Sequence, residues 1–95
     1  MRPCIYILAS ERNGTLYFGV TSDLAKRIWT HRNDFVDGFT KRYAVHRLVY
    51  AEFHDTMEAA ITREKQIKKW RQTWKLELIE SSNPQWRDLY DDLLK

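Results

Sequence analysis

The sequence predicts an α/β domain in which a small sheet is covered by helices, in the order β-β-α-β-α-α-α, with no parallel βαβ repeat. Three observations predict it. Two short apolar and aromatic runs flank Asn13-Gly14, a strong hairpin signal; a third such run stands at Arg47–Phe53; and from Asp55 onward the apolar spacing becomes helical. Ninety-five residues, 43% hydrophobic and 31% charged, supply one core and no second folding unit, so a single domain over residues 1–95 is expected.

Taken in order, Cys4–Ala9 and residues 16–20 read as strands that pair antiparallel across the Asn13-Gly14 stretch. Ser22 is placed to cap a helix over residues 23–33, with Leu24, Ala25, Ile28 and Trp29 as its apolar stripe. A loop is expected through Gly38, followed by the third strand, which His54 and Asp55 bound. Asp55 and Glu58 have capping-box spacing and start a helix that runs to about residue 70. Residues 73–81 form the next helical candidate. Asn83-Pro84 then reads as a cap and first turn of a last helix lined by Trp86, Leu89, Tyr90 and Leu93.

Composition excludes several function classes. The longest uncharged apolar run, residues 5–9, is far too short for a membrane span, and the amino terminus lacks the apolar stretch of a secretory signal. A cytoplasmic protein is the expectation. The single cysteine, Cys4, rules out an internal disulfide and a cysteine zinc site. Charge is unevenly spread: residues 80–95 carry four acids against two bases, a net of −2, which leaves +5 for residues 1–79. Between Arg63 and Lys75 six cations, Arg63, Lys65, Lys68, Lys69, Arg71 and Lys75, are interleaved with Trp70 and Trp74 around one acid, Glu64. That mixture suits a nucleic-acid backbone, and it also describes a solvated helix face.

Three groups of residues stand out chemically. Hairpin pairing centred on Asn13-Gly14 sets Tyr6 opposite Thr21 and Tyr17 opposite Ser10, with both rings on one face and Gly19 between them. In that register they lie roughly 13 Å apart. Arg27 and His31, four apart on a helix, are neighbours at the edge of the Leu24/Ile28 stripe, spaced to hold a phosphate or simply exposed. Glu64 falls in the middle of the stripe Met57, Ala60, Ile61 and Ile67, where a helix should place Leu or Ile. A carboxylate there needs a partner: either a structural cation such as Arg27, or Mg²⁺, which takes oxygen ligands and needs only one or two protein carboxylates.

Cys4-Ile5-Tyr6, ten intervening residues, Tyr17-Phe18-Gly19, then Arg27 and His31, Glu64 within a helix and Asn83 near the end resemble the GIY-YIG nuclease superfamily. The resemblance covers almost the whole chain. Thr21-Ser22-Asp23-Leu24 leading to Arg27 looks like the small stand-alone bacterial type, akin to the catalytic domains of homing endonucleases and of an excision-repair nuclease. It implies a three-stranded antiparallel sheet flanked by helices and hydrolysis of DNA phosphodiesters with one Mg²⁺ or Mn²⁺ ion. By position, Tyr6 is then the general base or its closest assistant, and Tyr17 orients the attacking water or the phosphate. Arg27 stabilises phosphate charge, His31 relays a proton, Glu64 holds the metal and Asn83 positions substrate. Cys4 and Phe18 depart from the family's name motif, and Val20 stands where some repair members carry a lysine.

The expectation is therefore a divalent-metal-dependent endonuclease linked to DNA repair or recombination. Its catalytic set is Tyr6, Tyr17, Arg27, His31, Glu64 and Asn83, and its DNA-binding set is Lys65, Lys68, Lys69, Arg71 and Lys75. With no room for a separate DNA-reading domain in these residues, branched or distorted DNA is the expected substrate. The alternatives are a nucleic-acid-binding module without catalysis, and a protein-interaction domain anchored by Trp70, Trp74, Trp86 and Tyr90.

Overall fold

Cys4–Ala9 forms strand β1, and every one of its residues is buried. An unbroken apolar run of this length belongs to a strand covered on both faces. In the computed structural model, which describes residues 2–33 and 45–93, β1 is the centre of a three-stranded antiparallel sheet of order β2-β1-β3, with β2 at Leu16–Thr21 and β3 at Arg47–Phe53. Cys4, Tyr6 and Leu8 pack against Leu24 and Ile28 of helix α1, Leu24–Arg32. Ile5, Ile7 and Ala9 point the other way, onto Ala60 and Ile67 of α2 (Met57–Lys68), Ile79 of α3 (Gln72–Ser82) and Trp86. A single turn, α4 at Tyr90–Leu93, joins the α1 face through Tyr90. The expected element order holds. None of the helices among the described residues is long and apolar enough to cross a membrane. The loop expected through Gly38 lies outside those residues.

Two caps sit one residue later than expected. Asp23, not Ser22, caps α1 by accepting from the Lys26 N–H, and Thr56, not Asp55, caps α2 by accepting from Ala59. At α2 the cause is visible: the His54 N–H donates to the Pro3 carbonyl, so strand-like pairing continues past Phe53 and delays the helix.

The hairpin turns earlier than its Asn-Gly pair suggests. Gly14 N–H donates to the Glu11 carbonyl and Ser10 N–H to the Thr15 carbonyl, which centres the turn on Arg12-Asn13. Asn13 takes the left-handed conformation (φ 59°), which Asn tolerates well. Gly14 is needed for space, because a Cβ there would collide with the Ser10 hydroxyl. As a result Tyr6 pairs with Gly19 and Tyr17 with Leu8, a shift of two residues from the expected register. A two-residue shift keeps both tyrosines on one face and halves their separation along the strands.

The chain after α3 does not begin a helix at Asn83-Pro84. It runs along β3 instead: Leu89 N–H donates to the Leu48 carbonyl, Asp88 accepts from Leu48 N–H and Arg47 donates to the Trp86 carbonyl. Pairing with an open strand edge satisfies these backbone groups and closes that side of the sheet. Trp86 turns the chain with φ 55° and is fully buried, its indole N–H donating to Glu80. A bulge puts Val49 out of register with β1, and the Asn83 amide donates to the Val49 carbonyl, donates to Arg87 O and accepts from Arg87 N–H. The acidic carboxy-terminal stretch docks through Asp88 on Arg32, at the end of α1, whose guanidinium also lies 4.8 Å from the Tyr90 ring.

These contacts set the expected cost of two substitutions. Asn83→Ala is expected to lower unfolding free energy by about 2 kcal/mol, because it strands buried backbone groups, and Asn83→Asp by more, since a carboxylate would face two carbonyls. Urea titration measures both. Gly19→Ala places a methyl against the Tyr6 ring and should cost about 1–3 kcal/mol, with a smaller loss in a Tyr6→Ala background.

Candidate active site

Gly19 is where the site begins. A Cβ on it would overlap the Tyr6 ring, so the ring leans across the glycine toward α1. Tyr17, diagonal to Tyr6 on the neighbouring strand, brings its ring centroid to 6.4 Å. The third member comes from α1. Its buried positions are Leu24, Ile28 and His31, and the expected stripe residue Trp29 is 48% exposed. His31 stands 5.8 Å from the Tyr6 ring and 5.2 Å from Tyr17, edge-on to both, and its Nε2 shares a 3.0 Å hydrogen bond with the Tyr6 hydroxyl. An imidazole that is 1% exposed demands such a partner. Burial pushes the Tyr6 phenol well above its usual range and nearby Tyr17 adds to this, while the Arg27 guanidinium pulls the other way without cancelling it. Tyr6 is therefore a neutral hydroxyl at ordinary pH.

Arg27, one turn before His31, is exposed and lines a cleft of about 470 Å³ with Thr21, Ser22, Asp23, Lys26 and Thr30. Two cations and three hydroxyl-bearing residues against one carboxylate, Asp23, leave the lining net positive, which suits an anionic, hydrogen-bonding ligand.

Glu64 lies on the other side of the sheet. It occupies the buried line Ala60, Glu64, Ile67 of α2, while the expected stripe member Ile61 is 38% exposed. Its ion-pair partner is Lys68, Nζ to Oε2 2.6 Å, and not Arg27, the cation named above as one example of a structural partner. Lys68 in turn lines a cleft of about 350 Å³ with Leu16, Tyr17 and Phe18, so the end of α2 reaches the edge strand that carries Tyr17. Lys75 comes to the same strand, 5.3 Å from the Phe18 ring. Lys65, Lys69 and Arg71 are exposed, with Arg71 5.0 Å from the Trp74 ring.

A clamp that sequence reasoning missed holds α2 in place. Glu52 of β3 accepts from Tyr50 Oη at 2.7 Å, meets His54 Nε2 at 2.7 Å and accepts from Arg63 Nε at 3.0 Å, one residue before Glu64. Burial works against the Glu52 charge, but donors from Tyr50, Arg63 and His54 outweigh it and hold its carboxyl below the usual range. The signal was available: Tyr50, Glu52 and His54 alternate along one strand face.

The structure thus gathers Tyr6, Tyr17 and His31, with Arg27 beside Tyr6, on one face. It sets Glu64 on the opposite face and joins the two through Lys68 at the β2 edge. Asn83 sits apart, on the Val49 and Ile79 side, bound to backbone. Among the described residues no three His, Cys, Asp or Glu side chains gather as a metal cage. Glu64 still fits a hard cation: it is a nearly buried carboxylate, and among the described residues only Lys68 pairs with it, at one oxygen.

A family model of the GIY-YIG catalytic domain matches residues 2–77. The chain is 40% identical to a UPF0213 protein of Staphylococcus saprophyticus over 79% of its own length and 90% of the relative's. A UPF0213 protein of Clostridium perfringens is 38% identical over 83% and 84% of the two chains. The solution NMR structure of a UPF0213 protein from Bacillus halodurans superposes with a TM-score of 0.52 at 28% identity, covering 84% of each chain. With the match over residues 2–77 and relatives at 38% and 40% identity, the chain belongs to the GIY-YIG family of nuclease domains, among its UPF0213 proteins.

Proposed function

We propose that this protein is a divalent-metal-dependent endonuclease that hydrolyses DNA phosphodiesters, selects branched or distorted DNA and serves repair or recombination. The observation that carries the reading is the Tyr6–His31 hydrogen bond, held within a three-ring cluster beside Arg27 and bordered by the β2 edge that Lys68 and Glu64 approach. Glu64 would hold the cation, Mg²⁺ or Mn²⁺, which supplies charge neutralisation at phosphate oxygens and a more acidic bound water.

The chain's own residues account for the rest. A phenol pushed upward in pKa is a poor base by itself. Its bond to His31 resolves this: Tyr6 gives its proton to Nε2 as its oxygen takes one from the attacking water, so the phenolate never carries full charge. Tyr17 orients that water or the phosphate. Arg27, on the open side, meets the charge that builds on the phosphate oxygens. Asn83 contributes by holding the carboxy-terminal segment on β3, and so supports the core under the site. Lys65, Lys69, Arg71 and Lys75 hold the flanking DNA backbone.

A binding module without catalysis is the second reading. It is favoured by the placement of Glu64, on the face opposite the rings and already paired with Lys68.

Cleavage of splayed or branched duplexes in Mg²⁺ or Mn²⁺ decides between them. Arg27→Ala and Tyr6→Phe are each expected to slow cutting by about 100-fold, and Glu64→Ala to remove it, with unfolding midpoints that show the variants folded. Metal-dependent cutting that survives both Glu64→Ala and Arg27→Ala would sink the nuclease reading, and salt-sensitive binding without cleavage would establish the second.

A further inference from the structure

Lys68 is placed between two groups that the proposed chemistry uses. Its ammonium lies 2.6 Å from Glu64, and its side chain lines the cleft with Tyr17. The two ends of that ion pair differ in their surroundings. The Glu64 side chain is 11% exposed and the Lys68 side chain 52%. A flexible four-carbon stem with most of its reach in solvent is free to turn, whereas the carboxylate is fixed by its helix and its burial. One of three ammonium protons suffices for the contact with Oε2.

Of the neighbouring cations, Arg63 donates to Glu52 and Arg71 lies over Trp74, while Lys75 comes to the same strand near the Phe18 ring. Leu16, Tyr17 and Phe18 bring no charge to the cleft, so a phosphate entering it beside β2 meets Lys68. A divalent cation and an ammonium repel one another, and both cannot keep the same carboxylate oxygen.

We propose that Lys68 is a substrate-contacting residue: it neutralises Glu64 in the cation-free protein and, when a divalent cation takes the carboxylate, turns into the Tyr17 cleft to bind a phosphate oxygen of the DNA. This rests on the nuclease reading of the same site. It makes the ion pair a placeholder that occupies the carboxylate until a divalent cation takes it.

Two measurements besides cutting test it. Titration of the free protein with Mn²⁺, followed by electron paramagnetic resonance, should show Lys68→Met binding about two- to fivefold more tightly than wild type, because the competing ammonium is gone. Binding of a splayed-arm duplex in Ca²⁺ should show a log–log salt slope smaller by about one in Lys68→Met and restored in Lys68→Arg. Cutting by Lys68→Met should slow with a raised KM. An unchanged or weakened Mn²⁺ affinity, or an unchanged salt slope, overturns the role of Lys68. If wild type still cuts in that case, the nuclease reading stands; if wild type neither binds Mn²⁺ nor cuts, both fall. A merely structural ion pair would lower the unfolding midpoint of Lys68→Met and leave the salt slope where it was.

Discussion

The Tyr6 ring leaning over Gly19 is the contact on which the rest of the structure depends. It exists only in the register that pairs these two residues, and that register is set by a turn where Asn13 is left-handed and Gly14 has no side chain to strike Ser10. With Tyr6 leaning this way, its hydroxyl reaches His31, and α1 must dock with Leu24, Ile28 and His31 inward. Trp29 is turned out as a consequence. A single hairpin register therefore positions the central strand, the first helix and the three rings together.

The opposite face solves a harder problem, since it carries charges. Burying Glu52 and Glu64 between a sheet and a helix is costly unless each is answered by donors. Glu52 is answered three times, and its bond to Arg63 fixes the rotation of α2 about its own axis. Glu64, next to Arg63 on the same helix, is answered once, by a half-exposed lysine. An apolar residue at position 64 would pack the same line with no need for a countercharge, so stability alone gives no reason for the carboxylate. Among the described residues, Glu52 is thus a fully satisfied structural clamp, whereas Glu64 keeps an oxygen that Lys68 does not pair.

Much of this was legible in the sequence because it rests on period and residue type. β1 and β3 follow from apolar runs, the same-face tyrosines from alternation, and the anomaly of Glu64 from helical spacing. What the sequence hid was decided by competition between local and tertiary pairing. Asn13-Gly14 has the form of a two-residue turn, yet the chain closes one residue earlier, at Arg12-Asn13, with Gly14 lacking the Cβ that would strike Ser10, and the register moves by two. Asn83-Pro84 has the form of a helix start, yet the open edge of β3 took the following backbone and a bulged carbonyl took the Asn83 amide. Trp29 and His31 exchanged their expected environments because a hydroxyl was waiting for the imidazole. The Lys68 partner of Glu64 was visible at i+4, where ion pairs on helices form, but Arg27 is an equally good countercharge until the fold sets the two on opposite faces.

The two edges of the sheet end up with different fates. Along β3, residues 86–89 pair with or cover the strand, and Trp86 seals the layer beneath. Along β2, the neighbours are side chains: Lys68 and Lys75 from one layer, and Tyr17 with His31 from the other. A three-stranded sheet is thin enough that side chains from both layers reach the same edge strand. In the nuclease reading proposed above, that geometry would let a carboxylate on one face and a tyrosine–histidine pair on the other serve one phosphodiester laid along β2, with Lys68 at the crossing point. In a wider sheet the two faces would be separated by further strands, and the same residues would form two sites instead of one.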